Sequence, residues 1–317
     1  MYNMDYDIQV GSFRLGMLDK AEIHRSVELL ADTAVITLPA SEYNRALEVE
    51  NLVHRGDAVT IRLGYLETGL REEFRGYLQR IGTDNGSITL ECEDELFKFR
   101  QPLPDEVLNN VSLESLLKKV VDGVGGGYKV DCDYTWKYEK FIIRTATGYD
   151  VLKKVQEECG ADVYLTGNTL HIHPPAVKTG ETVYYDFACN VEECDLTYRR
   201  ADERKVKVVV KALLPDGKVK EYEVGSTGGD RIEVRSATSD EASMKQRGEA
   251  ELKRLSFDGY DGTVTTWMVP YCEPGCVAEL HDADYDYKDG RYYVRAVTTE
   301  FGSNGGKRTI ELGIRLS

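Results

Sequence analysis

"HRGDAVTIRLGY", residues 54–65, carries a strict alternation. Ala58, Thr60 and Arg62 fall on one side and Val59, Ile61 and Leu63 on the other, the period of two that marks a strand with one buried face. Arg55-Gly56-Asp57 supplies the turn before it, and no catalytic group sits beside it. The same pattern extends in both directions. "YDIQVGSFRL", "AEIHRSVELL" and "TAVITLP" precede this strand, and "EEFRGYLQRIGTDNGSITLECED" follows, with a hairpin turn at Asp84-Asn85-Gly86. Many short strands separated by turn signals predict a β-barrel or sandwich over residues 1–98.

The period changes after "RQPLPDE". "SLESLLKKVVDG" places Leu113, Leu116, Leu117, Val120 and Val121 at helical spacing, with Ser112 as N-cap and Gly123 as stop. "TGYDVLKKVQEECG" predicts a second helix, capped by Thr147, lined by Val151, Leu152 and Val155, and ended by Gly160. With strand-like "YTWKYEKFIIR" and the hairpin "DVYLTGNTLHIHP", turned at Gly167-Asn168, these make a small α+β insert over 103–175. Strands dominate again over 180–317. "KVKVVVKALLPDGKVKEYEV" is a hairpin turned at Pro215-Asp216-Gly217. One helix interrupts, with Ser239 as cap, Asp240 and Glu241 at its positive end, and Met244, Gly248, Leu252 and Leu255 on one face. The closing strands echo the opening ones: Tyr77 to Ile81 spaces like Tyr293 to Val297, and each run crosses a Gly-containing turn into an alternating strand. The fold class expected is mainly β, α+β overall, with two related β-domains flanking the insert.

Composition narrows the function. The formal charge is −15, from 55 acidic and 40 basic side chains. That argues against sequence-specific nucleic-acid binding, which needs clustered Lys and Arg on phosphate. The one basic stripe, "RKVKVVVK", sets Lys205, Lys207 and Lys211 opposite Val206, Val208 and Val210, and reads as a solvated face or a protected edge strand. No signal peptide is evident in "MYNMDYDIQVG". No apolar run approaches the roughly 18 to 20 residues of a membrane span, so the chain is expected to be made in a cytoplasm. The 20 tyrosines against 8 phenylalanines suit half-buried sheets and interfaces.

Candidate chemistry is sparse. The seven cysteines are an odd number and scattered, and free thiols are the default in a reducing compartment. The close pairs, Cys189/Cys194 and Cys272/Cys276, miss the C-x2-C zinc spacing. His171 and His173 share a strand face but lack an apparent third ligand, so "HIHPP" reads as an exposed strand end. "HDADYDYKDG" sets Asp282, Asp284 and Asp286 at calcium-loop spacing, but Tyr287 stands where the loop needs Gly and Tyr293 where it needs Glu. It reads as a polar hairpin tip at Lys288-Asp289-Gly290. "GVGGG", 123–127, follows a helix rather than opening one, so it is a helix stop and not a phosphate cradle. Glu91, Glu93 and Asp94 could serve a glycosidase, but chance pairs are expected among so many acids. No catalytic, cofactor-binding or metal residue is assigned, and no cofactor is expected.

Several stretches taken together resemble a family: "AVITLPASEYN" (34–44), "RGDAVTIRLGY" (55–65), "FRGYLQRI" (74–81), "ITLECED" (88–94), the helical unit 147–174 and "PGCVAELHD" (274–282). The chain is similar, in order and over nearly its whole length, to the hub proteins of phage tail baseplates. These include phage late control protein D and the base of type VI secretion spike proteins. The resemblance implies a non-enzymatic structural protein with two tail-tube-like β-barrels and an α+β insert. It implies a homotrimer whose six barrels join a six-fold tail tube to a three-fold spike, so the partners are a further copy of the chain, the tube protein and a spike protein. The location implied is the virion baseplate, after synthesis in the bacterial host cytoplasm. The strand 57–63 would then build a wall. The chain shows no lysozyme-like or spike β-helix extension, so a separate spike protein is expected. The alternatives from other classes are a tail-associated cell-wall-degrading enzyme and a carbohydrate-binding module.

Overall fold

The computed structural model describes residues 2–39, 49–84, 87–200, 205–214, 216–285 and 289–317. Residues 40–44 of the "AVITLPASEYN" stretch, the turn residues Asn85-Gly86 and Pro215, and Asp286, Tyr287 and Lys288 lie outside the described residues.

The first segment forms β1 (Met4–Val10), β2 (Phe13–Arg14), β3 (Lys20–Ser26), β4 (Thr33–Leu38), β5 (Ala58–Tyr65), β6 (Gly69–Asp84) and β7 (Ser87–Glu93), closed by a 3-10 helix, Glu95–Arg100. The alternation read from the sequence holds on β5, where Val59, Ile61 and Leu63 are buried while Ala58 and Arg62 are exposed. The insert comprises β8 (Glu106–Ser112), α1 (Leu113–Val124), β9 (Lys129–Cys132), β10 (Lys137–Ile143), α2 (Gly148–Cys159), β11 (Asp162–Thr166) and β12 (Thr169–His173). The last segment adds β13 (Thr182–Asp186), β14 (Glu193–Arg199), β15 (Val206–Leu213), β16 (Val219–Gly225), β17 (Asp230–Ser236), α3 (Glu241–Leu255), β18 (Gly259–Trp267), β19 (Val277–His281), β20 (Gly290–Gly302) and β21 (Gly305–Arg315).

The two β-regions are not two separate closed barrels. They share one 13-stranded sheet, ordered β14-β18-β21-β20-β3-β4-β7-β6-β5-β1-β2, with β19 also on β20 and β13 on β19. The join is the antiparallel pair β3–β20, running from Ser26 opposite Ala296 to Lys20 opposite Gly302. The path ends at β2 and β14 and does not return on itself among the described residues. Within it, β5–β6–β7 and β19–β20–β21 are both antiparallel meanders, which gives the internal echo a topological counterpart.

The helix caps follow local chemistry. Ser112 accepts from Ser115 N–H as the N-cap of α1. That helix runs one residue past Gly123, and Gly125 at φ +78° ends it, donating its N–H to Val121 O. A left-handed residue is cheapest as glycine, which is why the stop falls at the first such position. Thr147 and Asp150 form the capping box of α2, and Gly160 closes it in the left-handed region. Asp240, not Ser239, caps α3. Ser239 is held instead by Glu139 Oε1 on β10, which takes both its N–H (3.2 Å) and its hydroxyl (2.6 Å).

β15 is the central strand of a separate three-stranded sheet, antiparallel to β16 and parallel to β17. The protected-edge reading of Lys207 and Lys211 is thereby corrected. Val206, Val208, Val210 and Ala212 pack with Met244 of α3. On the opposite face Lys207 meets Glu223 at 2.6 Å, and Lys211 meets Glu233 at 2.6 Å and Glu221 at 3.5 Å. These are solvent-screened pairs.

Cores cross segment borders. The cluster around Trp136 takes in Leu30, Ala31, Leu96 and Phe99, and the cluster around Ile61 takes in Met268 and Phe301. Two glycines limit this packing in different ways. A Cβ on Gly76 would lie 2.2 Å from Glu93 O, whereas Gly56 sits at φ +94° with only Phe97 within 4 Å. Gly76→Val is expected to cost about 2 to 4 kcal/mol by backbone collision. Gly56→Val should cost about 1 to 2 kcal/mol by dihedral strain alone. Urea denaturation of both variants checks the order.

Candidate functional site

The residues singled out by the sequence are engaged in structural bonds. His171 Nδ1 lies 2.9 Å from Asp131, which also takes Lys178 Nζ at 2.6 Å. His173 is fully buried, with Nε2 at 2.9 Å from Tyr164 Oη and Nδ1 at 3.1 Å from Pro174 O. The exposed-strand-end reading of His173 is therefore wrong: the Tyr164 hydroxyl and the Pro174 carbonyl take its two ring nitrogens. Glu91 pairs with Arg80, Glu93 takes a two-pronged contact from Arg100 at 2.6 and 2.7 Å, and Asp94 caps the 3-10 helix through Leu96 N–H. Asp282 accepts from Tyr260 Oη and from Asp284 N–H, while Asp289 holds His281 and Asp282 N–H. These acids brace a hairpin. Among the described residues, no three His, Cys, Asp or Glu side chains converge as a metal cage.

A buried polar network lies where the two β-regions meet, and the sequence reading missed it. In β21, Arg308 occupies the inward row that otherwise holds Ile310, Leu312 and Ile314. Its partner is Glu73, the extra residue of a bulge in β6: Phe74 faces Ile61 and Glu72 faces Arg62, leaving Glu73 between them. A bulge re-aims a side chain, and here it turns a carboxylate into the interior. Glu73 Oε1 meets Arg308 Nη2 at 2.5 Å, with side chains 4% and 1% exposed. Arg308 also donates to Met268 O and Pro270 O, and its guanidinium lies 4.8 Å from the Tyr271 ring centre. Around it, Arg25 of β3 reaches Asp32 and Glu273, each at 3.2 Å, and Tyr271 Oη donates to Glu273 at 2.5 Å. A positively charged residue inside an alternating apolar row was the signal available in "GKRTIELGI".

Two buried acids are shifted well above the usual carboxylate range. Burial, helped by the charge of Asp32, pushes the Asp94 carboxyl up to about 8. Burial pushes Asp162 up to about 7, although Ala176 N–H and Tyr293 Oη donate to it at 3.3 and 3.2 Å. One thiol stands out from the others: Cys276, half-buried, is lowered to about 7 by the Cys272 side chain, while Cys272, whose thiol donates to Glu273 O at 3.7 Å, is pushed up. Cys92 and Cys159 are raised by burial and chemically quiet.

No protein-family model matches the sequence, and no curated protein matches it. Solved structures do. The tail protein from Neisseria meningitidis MC58 is 15% identical, with 99% of this chain and 97% of that one covered at a TM-score of 0.68. The 43 kDa tail protein of prophage MuSo2 from Shewanella oneidensis is 16% identical, with 98% of each chain covered at 0.67. An E. coli type VI secretion component, described as structurally similar to the phage T4 tail proteins gp27 and gp5, is 8% identical, with 98% and 77% covered at 0.62. The chain has the fold of these proteins over nearly its whole length, in agreement with the resemblance read from the sequence. No helix among the described residues is long and apolar enough to cross a membrane.

The geometry generates two tests. Glu73→Ala strands a buried guanidinium and is expected to cost about 3 to 5 kcal/mol, whereas Glu73→Leu combined with Arg308→Met should recover a large part of that loss. Equilibrium denaturation of the single and double variants measures it. For Asp162 the folded-state pKa is above the unfolded 3.8. Its contribution is full below pH 4 and is lost as pH rises through about 7. Asp162→Asn keeps an acceptor for both donors, so its melting temperature should gain on the parent protein between pH 4 and pH 7 and level off above. A constant difference between pH 4 and pH 7 would show that the Asp162 carboxyl titrates alike in the folded and unfolded chain.

Proposed function

We propose that the chain is a structural protein of a phage tail or phage-like injection apparatus, acting as a baseplate hub. In this reading three copies form a ring that joins a six-fold tail tube to a three-fold spike. The observation that carries it is the two-way coverage: tail proteins from two organisms align over 99% and 98% of this chain and 97% and 98% of their own. The internal echo supports the symmetry step. Two meanders in one chain let three chains present six similar strand units, and the segments 1–98, 103–175 and 180–317 serve as wall, insert and wall. The partners are further copies of the chain, a tube protein and a spike protein, and the place of action is the virion baseplate.

A closed three-fold ring uses unlike faces of identical chains. The structure offers unlike apolar patches on separate sheets. Val107 and Ile142 are an exposed cross-strand pair on β8 and β10, and Leu213 and Val219 another on β15 and β16. The chain works mechanically in this reading, without catalysis or cofactor. Its charge of −15 suits a conduit whose lining does not grip a phosphate backbone.

Light scattering of the protein with its tube and spike partners should give a species containing three times the 35.7 kDa chain mass, and electron microscopy a three-fold ring. Complexes with two-fold contacts alone, or measurable turnover of peptidoglycan by the purified protein, would overturn the reading.

A further inference from the structure

Two cysteines flank one tight turn in the segment between β18 and β19. Cys276 N–H donates to Glu273 O at 3.1 Å, Pro274 stands second in the turn, and Gly275 stands third at φ +86°. This is the arrangement of a type II turn, in which proline presets the first central angle and glycine accepts the positive second one. Cys272 comes just before the turn, and its thiol donates to the same carbonyl, with Sγ 3.7 Å from Glu273 O. One carbonyl therefore collects the amide of one cysteine and the thiol of the other. Both side chains join one apolar cluster, Cys272 as a buried member and Cys276 packed against it from a half-buried position. Gly180 lies beside the Cys276 sulfur, where an added Cβ would already stand 3.4 Å from Sγ. Glycine there leaves that side of the sulfur uncovered by a side chain.

Each of the two side chains is the strongest influence on the ionisation of the other. The Cys272 side chain lowers Cys276 to about 7 against the opposing effect of burial, and the backbone of Glu273 and of Glu181 adds to the lowering. Cys272 moves the other way and keeps its proton. The thiolate is the nucleophilic form of cysteine, and an attacking thiol works best with a pKa near the ambient pH. A second cysteine beside it resolves the first oxidation product into a disulfide. Cys92, Cys132, Cys159 and Cys189 are all raised instead.

We propose that Cys276 and Cys272 form a peroxide-reactive pair that closes to a disulfide across the turn 273–276, Cys276 attacking and Cys272 resolving. The Cys276 thiolate attacks one oxygen of hydrogen peroxide; the O–O bond breaks, Cys276 becomes a sulfenic acid, and the departing hydroxide takes up a proton as water. The Cys272 sulfur then attacks the Cys276 sulfur; the S–O bond breaks, and the leaving hydroxide takes the Cys272 proton as a second water. Two thiols are oxidised by two electrons in all, and one peroxide is reduced to two waters. The crosslink closes within the segment that straps the β3–β20 join, since Tyr271 and Glu273 on either side of Cys272 both reach Arg25. The inference is independent of the tail reading and stands or falls separately from it.

The test uses the full chain, reduced and then freed of reductant. It is treated with one equivalent of hydrogen peroxide at neutral pH, the remaining thiols are blocked, and the peptides are weighed by mass spectrometry. The peptide holding residues 272–276 is expected to lose two hydrogens while Cys189 and Cys194 remain blockable. Labelling of Cys276 by iodoacetamide should have its midpoint at about pH 7 in the parent protein. Cys272→Ala should move that midpoint up by about one unit or more, and should halt the peroxide reaction at a sulfenic acid that dimedone traps. Cys276→Ser should leave Cys272 reduced. The parent protein carries the crosslink readout by itself, so the test survives a variant that fails to fold. Oxidation of Cys189 or Cys194 while the 272–276 peptide keeps both thiols overturns the proposal. So does oxidation of Cys272 in Cys276→Ser at the parent rate, or a labelling midpoint that Cys272→Ala does not move.

Discussion

The architecture depends on one join, the antiparallel pairing of β3 with β20 backed by the buried Glu73–Arg308 contact. Without that pairing the chain would hold two smaller sheets, each with an exposed edge, and exposed edges invite wrong partners. With it, a single sheet runs from β14 to β2. The ion pair is a demanding way to mark the join, because both charges leave water and must find one another. It therefore discriminates. A strand shifted by one residue would bury one charge without the other and turn every apolar side chain outward.

The polar network spreads from that pair. Arg308 takes the carbonyls of Met268 and Pro270, so the segment between β18 and β19 is strapped across the join. Tyr271 and Glu273 on the same segment reach back to Arg25 on β3. First and last segments are thus held by side chains as well as by the strand ladder, which suits a protein whose role in the proposed assembly is to bear load rather than to turn over a substrate. The fold is shared with tail proteins at 15% and 16% identity. What is shared is the arrangement of strands, and many sequences can satisfy an alternating pattern at constant core volume.

The acids and thiols follow the same logic of burial. Asp94 and Asp162 are raised because they sit where segments meet and water is excluded. Cys276 is lowered by its Cys272 neighbour. None of these departures needs a reaction to explain it; perturbed groups occur in structural networks as well as in active sites.

The sequence by itself determined the local elements. Period-two alternation marked β5, β15 and β21. Helical spacing with Ser112, Thr147 and Gly160 marked α1 and α2, and Gly167-Asn168 marked the β11–β12 hairpin. These signals are local because they rest on backbone geometry and on which face meets water. Even so, β8 went unread, since "EVLNNVS" offers only Leu108 and Val111 as buried positions. Neighbour choice was decided by tertiary structure alone. Alternation says that a strand has a buried face but not which strand lies beside it, so the pairing of residues 20–26 with 296–302 and the central place of β15 could not be read. The inward turn of Glu73 needed a bulge, and the burial of His173 needed Tyr164 of the neighbouring strand against its ring. The cavity between α2, α3 and the long sheet exists only because three remote pieces of chain converge, and contact between remote pieces is a property of packing that no local period encodes.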